Sequence, residues 1–107
     1  MAPSIGRIVH YVLSAQDAEQ INRRRTTSAQ IAARIADEKW PLGAQAHIGN
    51  SVSEGEVYPL VITRVWDSGM VNGQVMLDGN DLFWATSRHE GVEPGTYRWP
   101  VITREAK

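Results

Sequence analysis

The sequence contains no cysteine and no long apolar run, and these absences exclude several kinds of protein. Without cysteine there is no disulfide framework, no thiolate metal ligand and no thiol nucleophile, which is typical of proteins from a reducing compartment. No stretch approaches the ~20 apolar residues needed to cross a bilayer, and the first residues lack an apolar signal segment. The sequence therefore predicts neither export nor membrane insertion.

Recognisable catalytic and cofactor motifs are also missing. There is no Gly-x-Ser-x-Gly elbow, phosphate-binding loop or dinucleotide fingerprint. The three histidines, His10, His47 and His89, lie far apart and lack the spacing of metal ligands. We therefore expect no enzyme activity, no bound metal and no cofactor.

The net charge is close to zero, but charge is unevenly distributed along the chain. Residues 1–36 carry five arginines and two acids, whereas residues 37–107 carry six cations and ten carboxylates, for a net charge of −1. Nine of the eleven cations are arginine, whose planar guanidinium suits phosphate and stacks on aromatic rings. A protein that binds extended nucleic acid would carry more positive charge. The charge distribution predicts a discrete anion site and a symmetric homo-oligomer in which basic and acidic parts meet.

Five segments have the composition and alternation of β-strands. They cover residues 6–13, 57–66, 71–77, 82–87 and 96–102. A length of 107 residues with 42% hydrophobic residues is typical of one domain with one core. We therefore predict a mainly β, α+β domain over residues 1–107. Its architecture is a small antiparallel barrel of about five strands or a strongly twisted sheet, with a helical insertion at residues 14–40.

The helical insertion is predicted to consist of two helices. Ser14 has the character of an N-cap and Asp17 is an acid at the third helical position, so a short helix runs to about residue 21. The polar residues 22–26 then interrupt the apolar pattern. Thr27 and the glutamine three positions later predict a capping box for a second helix, which ends at Trp40-Pro41.

The start of this predicted second helix is the first candidate ligand site. It brings together guanidinium groups and hydroxyls from Arg23, Arg24, Arg25, Thr26 and Thr27. Free backbone N–H groups and the helix dipole favour an anion at a helix N-terminus, so we expect these side chains to hold phosphate. The alternative is a solvated run whose arginines pair with nearby carboxylates.

Tryptophans form the second group of candidates. Trp66, Trp84 and Trp99 lie in or beside predicted strands, where they either fill the core and rim of a small barrel or stack a nucleobase. Arg64 lies two positions before Trp66 in the same strand, so both side chains face one side and can stack together. We therefore include Arg64 among the candidate ligand-binding residues.

Several stretches of the chain carry a resemblance that covers nearly its whole length. They are residues 6–12 (GRIVHYV), 45–50 (QAHIGN), 61–66 (VITRVW), 71–75 (VNGQV) with 77–80 (LDGN) and 84–87 (WATS), and 94–100 (PGTYRWP). In these stretches the chain resembles small proteins encoded by tailed bacteriophages and prophages. The resemblance implies a phage gene product that acts in the cytoplasm of a bacterial host or is packed in a virion.

The resemblance also implies a choice of functions. Small β-rich phage proteins include counter-defence proteins that sequester cyclic or ADP-ribose-derived nucleotides without cleaving them, usually as homo-oligomers. The leading hypothesis is therefore a non-enzymatic protein that sequesters a small phosphorylated ligand. The alternatives are a structural or accessory virion protein and an inhibitor that binds a host protein.

Overall fold

The computed structural model describes residues 1–37 and 48–101. The elements are, in chain order, β1 (Ile8–Val12), α1 (Ala15–Asp37), β2 (Val57–Val65), β3 (Val71–Met76), β4 (Leu82–Arg88) and β5 (Tyr97–Arg98). The strands form one antiparallel sheet in the order β4-β3-β2-β1-β5. The predicted α+β class, with five strands and a helix after the first, is confirmed.

The predicted barrel is wrong, because the sheet remains open. β4 and β5 are its two edges, and within the described residues they do not pair with each other. After β4, Glu90 forms an isolated β-bridge to Tyr97 of β5, but this single bridge does not join the two edge strands. β5 has only two residues, far fewer than the predicted strand at 96–102. Pro100 follows it and has no N–H to continue a ladder, so β5 is too short to close the sheet.

The core lies on the inner face of the sheet, because alternate residues of each strand point to the same side. On the inner face, Val9 of β1 is paired with Leu60 of β2, and Leu60 with Val75 of β3. Gly73 of β3 lies so close to Leu60 that a Cβ atom there would overlap the leucine side chain. The buried residues of this face and of the helix form one cluster: Val9, Tyr11, Leu13, Ala18, Ile21, Val52, Leu60, Ile62, Val71, Val75, Leu77, Phe83, Ala85 and Tyr97.

The N-terminus of α1 is the predicted one. The backbone N–H of Asp17 donates to Ser14 Oγ at 3.0 Å, and the backbone N–H of Ser14 donates to Asp17 Oδ2 at 3.0 Å. These reciprocal bonds satisfy N–H groups that a helix start leaves without partners. Within the described residues, no helix is both long and apolar enough to cross a membrane.

The predicted break in the helix is wrong, because α1 continues through residues 22–26 without interruption. Thr27, the predicted cap of a second helix, lies inside α1, and its hydroxyl donates to the carbonyl oxygen of Arg23 at 3.2 Å. The hydroxyl of Thr26 donates in the same way to Asn22 O at 3.0 Å. Such bonds to the preceding turn let threonine sit within a helix. The predicted helix end at Trp40-Pro41 lies outside the described residues.

Candidate functional site

The arginine run does not form one site in the structure. Successive helical residues are about 100° apart around the axis, so the side chains of Arg23, Arg24 and Arg25 leave α1 in different directions. Arg23 forms an exposed ion pair with Glu19, and Arg24 Nη2 donates to Leu82 O at 2.8 Å. These residues also lie in the middle of a helix, where no free N–H groups or dipole end favour an anion. The premise of a phosphate site at a helix N-terminus, with Thr26 and Thr27, is therefore wrong.

Arg25 is buried, and its hydrogen bonds join separate parts of the fold. Its Nε and Nη2 donate to the two carboxylate oxygens of Asp81 at 3.1 and 2.9 Å, and its Nη1 donates to Asn50 O. The hydrogen bonds from Arg25 lower the pKa of Asp81, and those to Asp81 raise the pKa of Arg25. Gly79 leaves room for the guanidinium, because a Cβ atom there would lie 2.8 Å from Arg25 Nη2. Arg25 thus fastens α1 to the turn before β4.

A cavity of about 380 Å³ opens beside this ion pair. It is lined by Ile48, Gly49, Asn50, Asp78, Gly79 and Asn80. The lining carries a carboxylate, and the neighbouring Arg25 is already neutralised by Asp81. The charge around this cavity therefore does not favour the binding of a phosphate.

The structure does bring Arg64 and Trp66 together, as the strand alternation predicts. The guanidinium carbon of Arg64 lies 3.9 Å from the centre of the Trp66 ring, within the range of a cation–π contact. Among the described residues, Arg64 forms no ion pair with a carboxylate. Within the described part of the chain its guanidinium therefore keeps hydrogen-bond donors that are not paired with a carboxylate, unlike that of Arg25.

Asn72 holds the tryptophan in place, and sequence reasoning did not identify it. This buried side chain accepts hydrogen bonds from Trp66 Nε1 at 3.0 Å and from the backbone N–H of Ser87 at 2.8 Å. The ladders shift register on both sides of it, and Ser87 has a φ of 55°. Asparagine is uncommon in strands, so Asn72 between Val71 and Gly73 of β3 is the signal that marks such a position.

A second cavity, of about 390 Å³, lies beside Trp66. It is lined by Trp66, Asp67, Ser68, Met70 and Ser87. The turn that forms its floor is closed by hydrogen bonds from Trp66 N to Met70 O and from Gly69 N to Trp66 O. We call Arg64 together with these lining residues the Arg64–Trp66 corner. It offers an aromatic surface, a cation, a carboxylate and hydroxyls within one small region.

The other two candidate tryptophans lie elsewhere. Trp99 is partly buried and packs against the core, and the guanidinium carbon of Arg7 lies 5.3 Å from the centre of its ring. Trp84 is on β4 opposite Gln74, with 59% of its surface exposed. Neither residue lines the cavity beside Trp66. Of the predicted residues, Trp66 is thus the one that lines this cavity, and Arg64 is the one that stacks on it.

Trp84 belongs to an apolar surface on the outer face of the sheet. Its neighbours there are Met76 and Leu82, which are paired across β3 and β4 and are exposed by 45% and 46%. The open face of an antiparallel sheet is usually polar. We call Met76, Leu82 and Trp84 the outer patch.

A buried polar network ties the start of α1 to the sheet. Asp17 accepts hydrogen bonds from the Tyr11 hydroxyl at 2.5 Å and from Arg88 Nη2 at 3.0 Å. Burial, reinforced by the hydrogen bond to Asp17, raises the pKa of Tyr11 above its usual range, so the phenol stays protonated. Tyr11 and Asp17 are both shielded from solvent, so these two side chains hold the start of α1 against the sheet.

A comparison of the chain with protein families, with characterised proteins and with solved structures finds no match. The resemblance to small phage proteins therefore stays a prediction. Within the described residues, no three ligand-type side chains are grouped so that they could hold a metal ion.

Proposed function

We propose that this protein is a non-catalytic binding protein that takes a small phosphorylated ligand with a flat ring, such as a nucleotide, at the Arg64–Trp66 corner. The observation that carries the proposal is the guanidinium of Arg64, which lies on the Trp66 ring and forms no ion pair among the described residues. A stacked guanidinium keeps one flat face and its N–H edges available. A nucleobase stacks on the face, and phosphate accepts from the edge.

The surroundings of this pair support a nucleotide-like ligand. A cavity of about 390 Å³ is of the size that small-molecule sites usually have. Met70 provides an apolar contact, whereas Asp67 and the hydroxyl of Ser87 accept hydrogen bonds from ligand amino or hydroxyl groups. The carboxylate of Asp67 disfavours inorganic phosphate alone, because it repels an anion that brings no compensating donor.

The biological role that we propose is sequestration of a nucleotide signal by a phage-encoded protein in the bacterial cytoplasm. This role keeps the expected ligand class and moves its site from the arginine run to the sheet. It requires binding without turnover, because a sequestering protein acts by lowering the free concentration of its ligand.

Titration calorimetry against cyclic di- and trinucleotides and ADP-ribose derivatives tests the proposal. The informative variants are Arg64→Gln and its matched control Arg23→Gln, which removes the same charge from an exposed position on α1. A charge-assisted hydrogen bond to phosphate contributes roughly 1.5–3 kcal/mol, so we expect Arg64→Gln to bind at least about tenfold more weakly. Arg23→Gln should bind as the natural protein does.

Two results would contradict this proposal. If no ligand of the panel binds or raises the melting temperature, the small-ligand function fails, since any ligand that binds the folded state stabilises it. If Arg23→Gln weakens binding and Arg64→Gln does not, the site lies on α1 and the corner is only structural. Analysis of the ligand after prolonged incubation checks that it is not cleaved.

The outer patch favours a second candidate, a protein that works by binding another protein. Exposed apolar side chains grouped on one surface usually mark an interaction site. The outer patch groups such side chains on two neighbouring strands. This candidate corresponds to a virion component or to an inhibitor of a host protein, and it takes precedence if the ligand panel fails.

A further inference from the structure

Two tryptophans share the outer face of the sheet. Trp84 lies there because its neighbours in β4, Phe83 and Ala85, are buried in the core on the other side. Trp66 is held there by its hydrogen bond to Asn72, which lies in β3 between two residues that face the core. Trp84 is 59% exposed and Trp66 is 37% exposed, so both rings are accessible. The outer face thus presents two aromatic surfaces on one side of the sheet.

The separation of the two tryptophans determines how large a ligand must be to reach both. Trp84 is opposite Gln74 in the ladder of β3 and β4, and Asn72, which holds Trp66, is two positions from Gln74. Residues in this diagonal relation lie about 7–8 Å apart, and stacked nucleotides of one strand rise about 3.4 Å per step. The separation therefore corresponds to about two nucleotide steps. A single nucleotide has one base and can stack at only one of these places, whereas a strand of three can reach both.

The charges of the outer face favour a ligand that carries phosphate. None of the five strands contains a carboxylate. Arg64 and Arg98 lie on the outer face, and in the part of the chain that the structure describes neither of them forms an ion pair. Of the acids beside the face, Asp81 is already bound by Arg25, and Asp67 lines the corner, where it can accept from the amino group of a base. Guanidinium groups beside aromatic rings suit the phosphates that join successive bases.

We propose that a single-stranded oligonucleotide lies across the outer face, with one base on the Arg64–Trp66 pair and another on Trp84. This inference rests on the proposed function, because it takes the nucleotide at the Arg64–Trp66 corner as one unit of a short strand. Aromatic side chains beside basic groups stack the bases of single strands with little dependence on sequence. The low net charge argues against a protein that binds extended nucleic acid through many phosphates, but a short strand held by stacking needs few phosphate contacts.

Calorimetric titration with dAMP and with single-stranded deoxyadenylates of three and six nucleotides tests the proposal. We expect the trimer to bind about 5- to 150-fold more tightly than dAMP, which is the effect of one additional base stacked on an aromatic ring. A stable DNA duplex should bind more weakly than the hexamer, because its paired bases are not available for stacking on Trp84. A trimer that binds no more tightly than dAMP, or a duplex that binds as tightly as the hexamer, overturns the proposal.

Variants of Trp84 separate this inference from the proposed function. Trp84→Ala should weaken binding of the trimer by about 5- to 150-fold and leave dAMP binding unchanged, whereas Arg64→Gln should weaken both. Trp84→Phe keeps an aromatic ring and should retain most of the affinity for the trimer. Ile31→Ala is the matched control, because Ile31 is 54% exposed and lies on α1.

The two proposals fail in different ways. If Trp84→Ala binds the trimer as tightly as the natural protein does, or if Ile31→Ala weakens binding equally, the strand does not cross the outer face, and dAMP binding still reports on the corner. If the natural protein binds neither dAMP nor the trimer, the nucleotide site at the corner and the strand both fail, which leaves the outer patch to a protein partner.

Discussion

The two halves of α1 share one secondary structure but have opposite surroundings. In the half that precedes Thr26, Asp17, Ala18, Ile21 and Arg25 are buried against the sheet and its loops. In the half that follows, residues 26–31 are all exposed. Up to residue 31, the last helical residue whose burial the structure describes, the buried stripe of the first half therefore does not extend past Arg25. The sequence pattern changes there because residues 26–31 do not pack on the sheet, not because the helix stops.

The buried face of the first half of α1 includes polar side chains. Residues of the polar segment 22–26 can therefore be part of that face. Asn22 donates to Val52 O and accepts from Val52 N, at 2.9 and 2.8 Å. Arg25, one turn later, binds Asp81. Buried polar groups are tolerated when they are hydrogen-bonded. A charged side chain in a helix can thus stabilise the fold, and only its contacts distinguish it from a ligand-binding group.

The largest loss of stability is expected at the buried start of the helix. Asp17→Asn removes the charge that Arg88 and the Tyr11 hydroxyl share. Breaking a buried ion pair by changing one partner usually costs about 3–5 kcal/mol, so we expect a loss of that size in the free energy of unfolding. Urea denaturation at neutral pH measures it. Glu19→Gln, which breaks the exposed pair with Arg23, should cost less than about 0.5 kcal/mol. Similar losses in both variants would contradict the contrast.

A smaller loss is expected where the helix leaves the sheet. Asp81→Asn removes the counter-charge of Arg25 and weakens its paired hydrogen bonds. Hydrogen bonds to charged groups contribute about 1.5–3 kcal/mol, and we expect the free energy of unfolding to fall by that amount at neutral pH.

The same variant makes a prediction about pH. The hydrogen bonds from Arg25 lower the pKa of Asp81 in the folded state. Its charge therefore stabilises the fold above the unfolded pKa of about 3.9, and this contribution is lost as pH falls through the lower folded pKa. The natural protein should exceed Asp81→Asn in stability by a constant amount above about pH 5, with a difference that shrinks below pH 4. A difference that grows in acid would show that Asp81 is not stabilised by Arg25.

The strands could be predicted from the sequence because their signals are local. The alternation in residues 57–66 and the glycine-containing turn at 78–81 specify β2 and the hairpin of β3 and β4 directly. The length of β5 could not be predicted: residues 96–102 have a suitable composition, but of the described residues 96–101 only Tyr97 and Arg98 have strand partners in β1. Closure into a barrel would require β5 to pair with β4 at the opposite edge, and such a long-range pairing is not encoded in any single segment.

Of the candidate site, the sequence predicted only the pair whose two members lie close together along the chain. Arg64 and Trp66 are two positions apart, so alternation alone places them on one side. Asn72, which holds Trp66, and Asp81, which occupies Arg25, come from other elements and share no spacing with their partners. The role of each arginine is decided by such long-range contacts, and for this reason the arginine run was wrongly assigned to a helix N-terminus.

The smallest change in stability is expected at an exposed position of α1. Whether the change is a gain or a loss is the informative result. Thr27 lies inside the helix, is exposed, and contributes a hydroxyl bond to its own preceding turn. Alanine is the better helix former by up to about 0.7 kcal/mol, so Thr27→Ala should leave stability unchanged or raise it slightly. Ser14→Ala, at the real N-cap, should instead cost about 0.5–2 kcal/mol. Thermal denaturation of the two variants side by side measures both. If Thr27→Ala loses as much as Ser14→Ala, a helix begins at Thr27 after all, and the two halves of α1 are separate helices.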